Sequence, residues 1–143
     1  MRLILGLGFA ALLSACGPSE EADRAAAQAV LHALYDKPGA KLDSGPVAIE
    51  GDIAVIDWTQ GEMGGRALMR RGGEGWTLVL CSGDPLRTRQ GLEGVGVPPA
   101  AAQVLARKIQ EAEAGVAPER LARMAAFRGV VRMDTPARHG DGK

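Results

Sequence analysis

Cys81, Met63 and Arg66 have the most chemistry to offer in this chain. They fall in a stretch, 57–84, where apolar and polar residues alternate in a period of two between glycine-rich turns. That pattern predicts antiparallel hairpins, which carry residues from distant positions side by side. Pairing Arg71 with Trp76 across one turn, and Gln60 with Gly65 across the one before, sets Cys81 opposite Arg66, beside the loop that holds Met63. A thiolate and a thioether are soft donors suited to Cu(I), which takes about two to four of them, with Met133, Met124 or His32 as the third. An adjacent guanidinium favours the thiolate, the form that a redox-active cysteine also requires. The plainer roles are packing ones, since free cysteine is among the most buried residue types and methionine fills gaps in cores. No methionine-rich run, His-x-Met pair or Cys-x-x-Cys stands beside them.

The polar residues of the same stretch, Asp57, Gln60, Glu62, Arg66 and Asp84, are the candidate binding surface. Asp57 and Arg66 are placed for a cross-strand ion pair, worth about 0–1 kcal/mol when exposed. The run Gly61 to Gly65 lacks the lysine and hydroxyl of a phosphate-binding loop and reads as a hairpin turn. Trp58 and Trp76 project to the predicted core side, where packing is the ordinary role of an indole. His32 sits among apolar helix neighbours and His139 in a polar tail, so no set of nucleophile, base and orienting group assembles. The expectation is a protein that is not an enzyme.

Positioning these residues requires an α+β fold. Ser19 is a helix cap followed by Glu20 and Glu21, and Ala27, Val30, Leu31 and Leu34 make one apolar stripe before Pro38 and Gly39. A four-stranded antiparallel meander follows, at about Val47 to Ile49, Ile53 to Gln60, Arg66 to Arg71 and Trp76 to Cys81. Its core face is predicted to carry Ala54, Ile56, Trp58, Ala67, Met69, Trp76, Leu78 and Leu80. The opposite face carries Asp57, Thr59, Arg66, Arg70, Thr77 and Cys81, and a one-residue slip would exchange the two. Beyond it, Asp84 caps a helix with Pro85 at its first position, fading near Gly91 to Gly96. A second helix begins at Pro98 and Pro99 with Ala101, Leu105, Ile109 and Ala112 inward. A third begins at Pro118 with Leu121, Met124 and Ala125 inward. Gly129 to Met133 reads as a short final strand, on an edge of the sheet or packed over it. The tail 134–143 is polar and is expected to be disordered.

The start of the chain is written in export language. Met1 and Arg2 precede an apolar run of eleven residues, Leu3 to Leu13, too short for a membrane span of about 18 or more. Leu13-Ser14-Ala15-Cys16 resembles the bacterial lipobox, which implies removal of residues 1–15 and acylation of Cys16. Several acyl chains on one residue are enough for stable membrane anchoring. Gly17, rather than Asp, follows the cysteine, which favours the outer over the inner membrane on the periplasmic side. Only three residues separate Cys16 from the first helix, a reach of roughly 10 Å.

Removing the leader leaves 128 of the 143 residues, enough for one domain, 16–133, with its own core. The 128 residues together carry 16 basic and 17 acidic side chains with no run of Lys or Arg, which argues against nucleic acid as a partner. With Cys16 acylated, Cys81 is the one remaining thiol, so no disulfide can form within the chain.

The segments Asp57-Trp58-Thr59-Gln60-Gly61-Glu62-Met63-Gly64-Gly65-Arg66-Ala67-Leu68 and Trp76-Thr77-Leu78-Val79-Leu80-Cys81-Ser82-Gly83-Asp84 resemble the bacterial copper uptake system-associated proteins. The similarity runs on through the Val97-Pro98 helix to Phe127-Arg128-Gly129-Val130-Val131-Arg132-Met133. That family is named for its genomic association with periplasmic copper chaperones. The resemblance therefore implies a pathway and a partner, a copper chaperone or an outer-membrane copper transporter, without supplying catalytic or metal residues. Two further functions follow from the residues: direct Cu(I) binding through Cys81 and Met63, and thiol redox chemistry through Cys81.

Overall fold

Ser19 accepts a hydrogen bond from the Ala22 amide at 3.3 Å, satisfying one of the donors that a helix start leaves open. Glu20, Glu21 and Asp23 in the first turn oppose the helix dipole. The computed structural model describes residues 19–133, and the helix so started is α1 (Glu20–Tyr35). The expected leader 1–15, the expected acylation at Cys16 and the expected disordered tail 134–143 fall outside the described residues. Asp36 ends α1 and turns the chain, accepting the Leu42 amide on Oδ1 at 2.8 Å.

Four antiparallel strands follow: β1 (Asp43–Glu50), β2 (Ile53–Gln60), β3 (Met63–Gly72) and β4 (Gly75–Ser82). A 3-10 turn (Asp84–Arg87) leads to three helices, α2 (Arg89–Gly94), α3 (Pro99–Glu113) and α4 (Pro118–Ala125). The last strand, β5 (Val130–Arg132), pairs with the outer edge of β4, so the sheet is a simple meander in the order β1-β2-β3-β4-β5. The expected α+β architecture with a short final strand is what the chain adopts.

The sheet carries a core on both sides, whereas the sequence reading assigned a core to one face only. Ala27 and Leu31 of α1 pack on Val47, Ile49, Ala54, Ile56, Ala67, Met69, Trp76, Leu78 and Cys81. On the other side, α2, α3 and the 3-10 turn bring Leu86, Leu92, Ala102, Leu105 and Ile109 against Ala48, Ile53, Val55, Leu68 and Leu80. Strands covered on both faces read as nearly continuous apolar runs, and Ile53 to Ile56 is one.

Two hairpins differ in register from the sequence reading. Gln60 pairs with Met63 rather than Gly65, so the turn is only Gly61-Glu62 and Met63 to Gly65 belong to β3. A shift of two residues preserves the faces of β2 and β3. In the next hairpin Arg71 pairs with Trp76 as expected, but a bulge between Leu68 and Met69 then changes the register. Beyond it Leu68 faces Leu80, Ala67 faces Cys81, and Arg66 faces Ser82. One extra residue in β4 moves Leu80 to the α3 side and Cys81 to the α1 side, reversing both expected placements.

The helices depart from expectation in detail. Asp84 does not cap a helix; the cap of α2 is Thr88, whose hydroxyl accepts the Gly91 amide at 3.0 Å. The buried stripe of α3 is Ala102, Leu105, Ala106, Ile109 and Glu113, turned so that Ala112 is exposed. Met124 of α4 is inward as expected, Ala125 is exposed, and Leu34 of α1 is 58% exposed. Among the described residues no helix is long and apolar enough to cross a membrane.

Candidate functional site

Three bare positions let α4 and the chain after it close over one end of the sheet. A Cβ on Gly64 would lie 3.1 Å from the Arg123 and Met124 backbone, and one on Gly83 only 2.7 Å from the Phe127 carbonyl oxygen. A Cβ on Gly65 would meet the Phe127 and Trp58 rings at 2.9 Å. Trp58 and Phe127 accordingly stack edge to face, their centroids 6.0 Å apart and their planes at 84°. Arg120 ties α4 to the far edge of the sheet through Thr59 Oγ1, Asp43 Oδ2 and the carbonyls of Asp43 and Gly45.

Beside that aromatic pair, on the α1 side, the structure holds a hollow of about 300 Å³, the lower end of the range for small-molecule pockets. Leu31 and Tyr35 of α1, Leu42, Trp58, Phe127 and Val131 give it apolar walls, and Lys37, Gln60 and Met63 also line it. Cys81 and Met133 complete the lining, so all three expected sulfur donors border one space. The Tyr35 hydroxyl lies 3.9 Å from Met133 Sδ. Burial pushes the Cys81 thiol up to about 11, opposed in part by a hydrogen bond with the Trp58 side chain. Burial also raises the Tyr35 phenol, and the neighbouring Cys81 sulfur adds to the effect.

The three sulfurs are not equally close. Met63 stands four positions along β3 from Ala67, the partner of Cys81, which is on the order of 13 Å of strand. Gly65, beneath the Trp58 and Phe127 rings, lies between them. Met133 donates its amide to the Val79 carbonyl at 2.9 Å, two positions from Cys81 and on the order of 7 Å along the strand. Cys81 and Met133 are therefore the nearer pair, and Met63, 63% exposed, stands at the mouth. The other candidates for a third ligand lie elsewhere. His32 spends one ring nitrogen on Asp36 at 3.1 Å and the other on Ser44 at 2.9 Å, and Met124 is buried outside the lining. Among the described residues no group of three or more His, Cys, Asp or Glu side chains could hold a metal ion.

Arg66 is not beside the thiol. The bulge in β4 sends Cys81 to the α1 side, while Arg66 points under α3 with no exposed surface. Its Nε donates to Glu113 Oε1 at 2.7 Å and its Nη1 to Asp84 Oδ1 at 3.1 Å. The expected activation of the thiolate by Arg66 is thus corrected: its guanidinium is held by carboxylates, and the thiol is shifted away from ionisation.

The expected binding surface does not form one surface. Asp57 and Arg66 do pair across the strands, but they are 1% and 0% exposed, because α3 and α4 cover that face. Gln60 uses its amide on the carbonyls of Tyr35 at 2.9 Å and Ala40 at 2.6 Å. Glu62 is exposed in the turn, and Asp84, though exposed, is bound to Arg66.

Several contributors escaped the sequence reading. Glu113 is 2% exposed and stands four residues beyond Ile109 and eight beyond Leu105. An acid on the buried stripe of a helix was the available signal. Tyr35, Leu42 and Phe127 carry no comparable mark. The chain matches no family model, no curated protein and no solved structure, so the copper uptake system-associated family stands as a resemblance of the quoted segments.

Proposed function

We propose that this chain is a non-enzymatic accessory of copper uptake, lipid-anchored through Cys16 on the periplasmic side of the envelope. Its working part is the hollow between α1, the end of the sheet and β5. The observation that carries the reading is that Cys81, Met133 and Met63 border the same apolar space. Cu(I) bound by one thiolate and one thioether forms a neutral unit, which an apolar hollow tolerates far better than a free charge. Binding must displace the proton from a thiol held near 11, so affinity should rise with pH. Met63 at the mouth is a first contact for the ion, and Cys81 with Met133 is its inner pair.

Docking of a copper chaperone or an outer-membrane copper transporter is the companion reading. Val131 and Met133, 46% and 45% exposed, line the hollow with Met63. An apolar rim of this kind suits a partner that delivers or collects the ion.

Anaerobic titration of the mature chain with Cu(I) against a competing chelator tests the binding. Cys81→Ser and Met133→Leu should each weaken it by roughly tenfold or more, and Met63→Leu should weaken it less. Unchanged affinity in Cys81→Ser would reject the site. The pathway has its own test, copper uptake under copper scarcity in a deletion strain, where a normal rate would remove copper from the assignment.

A further inference from the structure

The ion cluster on the α3 side of the sheet leaves Asp57 poorly paired. Arg66 bonds Glu113 and Asp84, and Arg87 Nε stands 2.6 Å from Glu113 Oε2 as an ion pair outside hydrogen-bond geometry. Asp57 is left with a long approach of 3.5 Å to Arg66 Nε, and its Oδ2 has no hydrogen-bond partner. Two buried carboxyls, Asp57 and Glu113, thus share Arg66, which also reaches out to the half-exposed Asp84, while Arg87 pairs with Glu113 alone. The third arginine nearby, Arg120 of α4, spends its donors on Thr59, Asp43 and Gly45. The surroundings from β1 and α3 that close over Asp57 are Pro46, Ala48, Ile109 and Ala112, none of them charged. An ionised Asp57 would meet only that long approach to Arg66, with one carboxyl oxygen unpartnered where water is excluded, a state that buried surroundings penalise heavily.

We propose that Asp57 keeps its proton in the folded domain, and that its release loosens the layer formed by α3, the 3-10 turn and α4. The inference stands on the cluster and does not require that the hollow bind copper. The charged groups that face Asp57 among the described residues are Arg66 from β3, Glu113 from α3, Asp84 and Arg87 from the 3-10 turn, and Arg120 from α4. Burial and then the charge of Glu113 push the Asp57 carboxyl up to about 7, with Arg66 and Arg120 only partly opposing. The layer that the proton holds also carries one wall of the hollow, because α4 leads directly into Phe127.

The sign of the effect is set by the direction of the shift. An aspartate in the unfolded chain loses its proton near pH 4, whereas Asp57 in the fold keeps it to about 7. The folded state binds the extra proton between those values, so stability falls as pH rises through that window and levels off above it. Urea unfolding of the mature chain from pH 4.5 to 8.5, beside Asp57→Asn, reads this directly. The wild-type midpoint should drop relative to that of the variant as pH rises, with the gap reaching its limit near pH 8. A carboxyl-carbon NMR titration of the wild type, which needs no variant to fold, should find Asp57 titrating near neutrality. Titration of Asp57 below pH 5 with the ordinary carboxylates, or parallel midpoint profiles for the two proteins, would overturn the inference.

Discussion

Gly65 has no room for a side chain, because Trp58 and Phe127 close over it to within 2.9 Å of where a Cβ would be. In Gly64-Gly65 the absence of Cβ serves the approach of α4 and an aromatic ring rather than a turn, which the chain completes at Gly61-Glu62. Gly65→Ala should therefore cost about 1–3 kcal/mol through overpacking, measured by chemical denaturation. A cost near zero would mean that Phe127 is free to move aside, and that the wall of the hollow is soft. Cys81 shows the reverse case, where a reactive residue type is placed out of reach. The same thiol that suits a soft metal is buried and held near 11, so only about a thousandth of it is thiolate at pH 8.

The decisive element is the hairpin of β3 and β4, where a single bulge assigns Leu80 and Cys81 to opposite cores. Without it Cys81 would face Arg66 and an activated thiolate would be plausible; with it the two residues are separated by the sheet. The placement of α4 depends in turn on Arg120, which clamps the helix to β1 and β2. Arg120→Ala leaves Thr59 with one partner fewer and removes four hydrogen bonds at a partly buried site, for which about 1–3 kcal/mol is expected. Hydrogen exchange should show faster opening of 118–127, with the interior of β2 and β3 protected as before. Uniform loss of protection across the domain would instead mean that α4 unfolds only with the whole.

At the scale of the whole molecule, helices cover both faces of the sheet, and the sulfur-lined hollow sits at the end where Phe127, beyond α4, approaches Leu31 and Tyr35 of α1. Access of a bulky alkylating reagent, unlike that of a bare Cu(I) ion, should therefore report on opening of the domain around Cys81, which is 6% exposed. Labelling by iodoacetamide at pH 8 is expected to be at least roughly a hundredfold slower than for an unfolded chain, and to accelerate only as urea unfolds the domain. Rapid labelling of the native protein would revive a redox role for this thiol.

The sequence by itself determined the elements, because their causes are local. Ser19 with its acidic neighbours starts α1, period-two alternation marks the strands, Gly51 and Gly61 supply the positive backbone angles of their turns, and Pro99 and Pro118 open helices. It also picked out the three sulfur residues that border the hollow, since residue type alone advertises a soft donor. Tertiary structure decided everything that turns on one residue of register or a fraction of a helical turn: which face Cys81 joins, that Glu113 rather than Ala112 points inward, and that Asp57 and Arg66 leave the surface. Such choices are settled by which arrangement buries both faces of the sheet at once, and that energy comes from residues far apart in the chain. No local pattern marks where β4 takes up its extra residue, so the site became legible only when α1, α3 and α4 had closed around the strands.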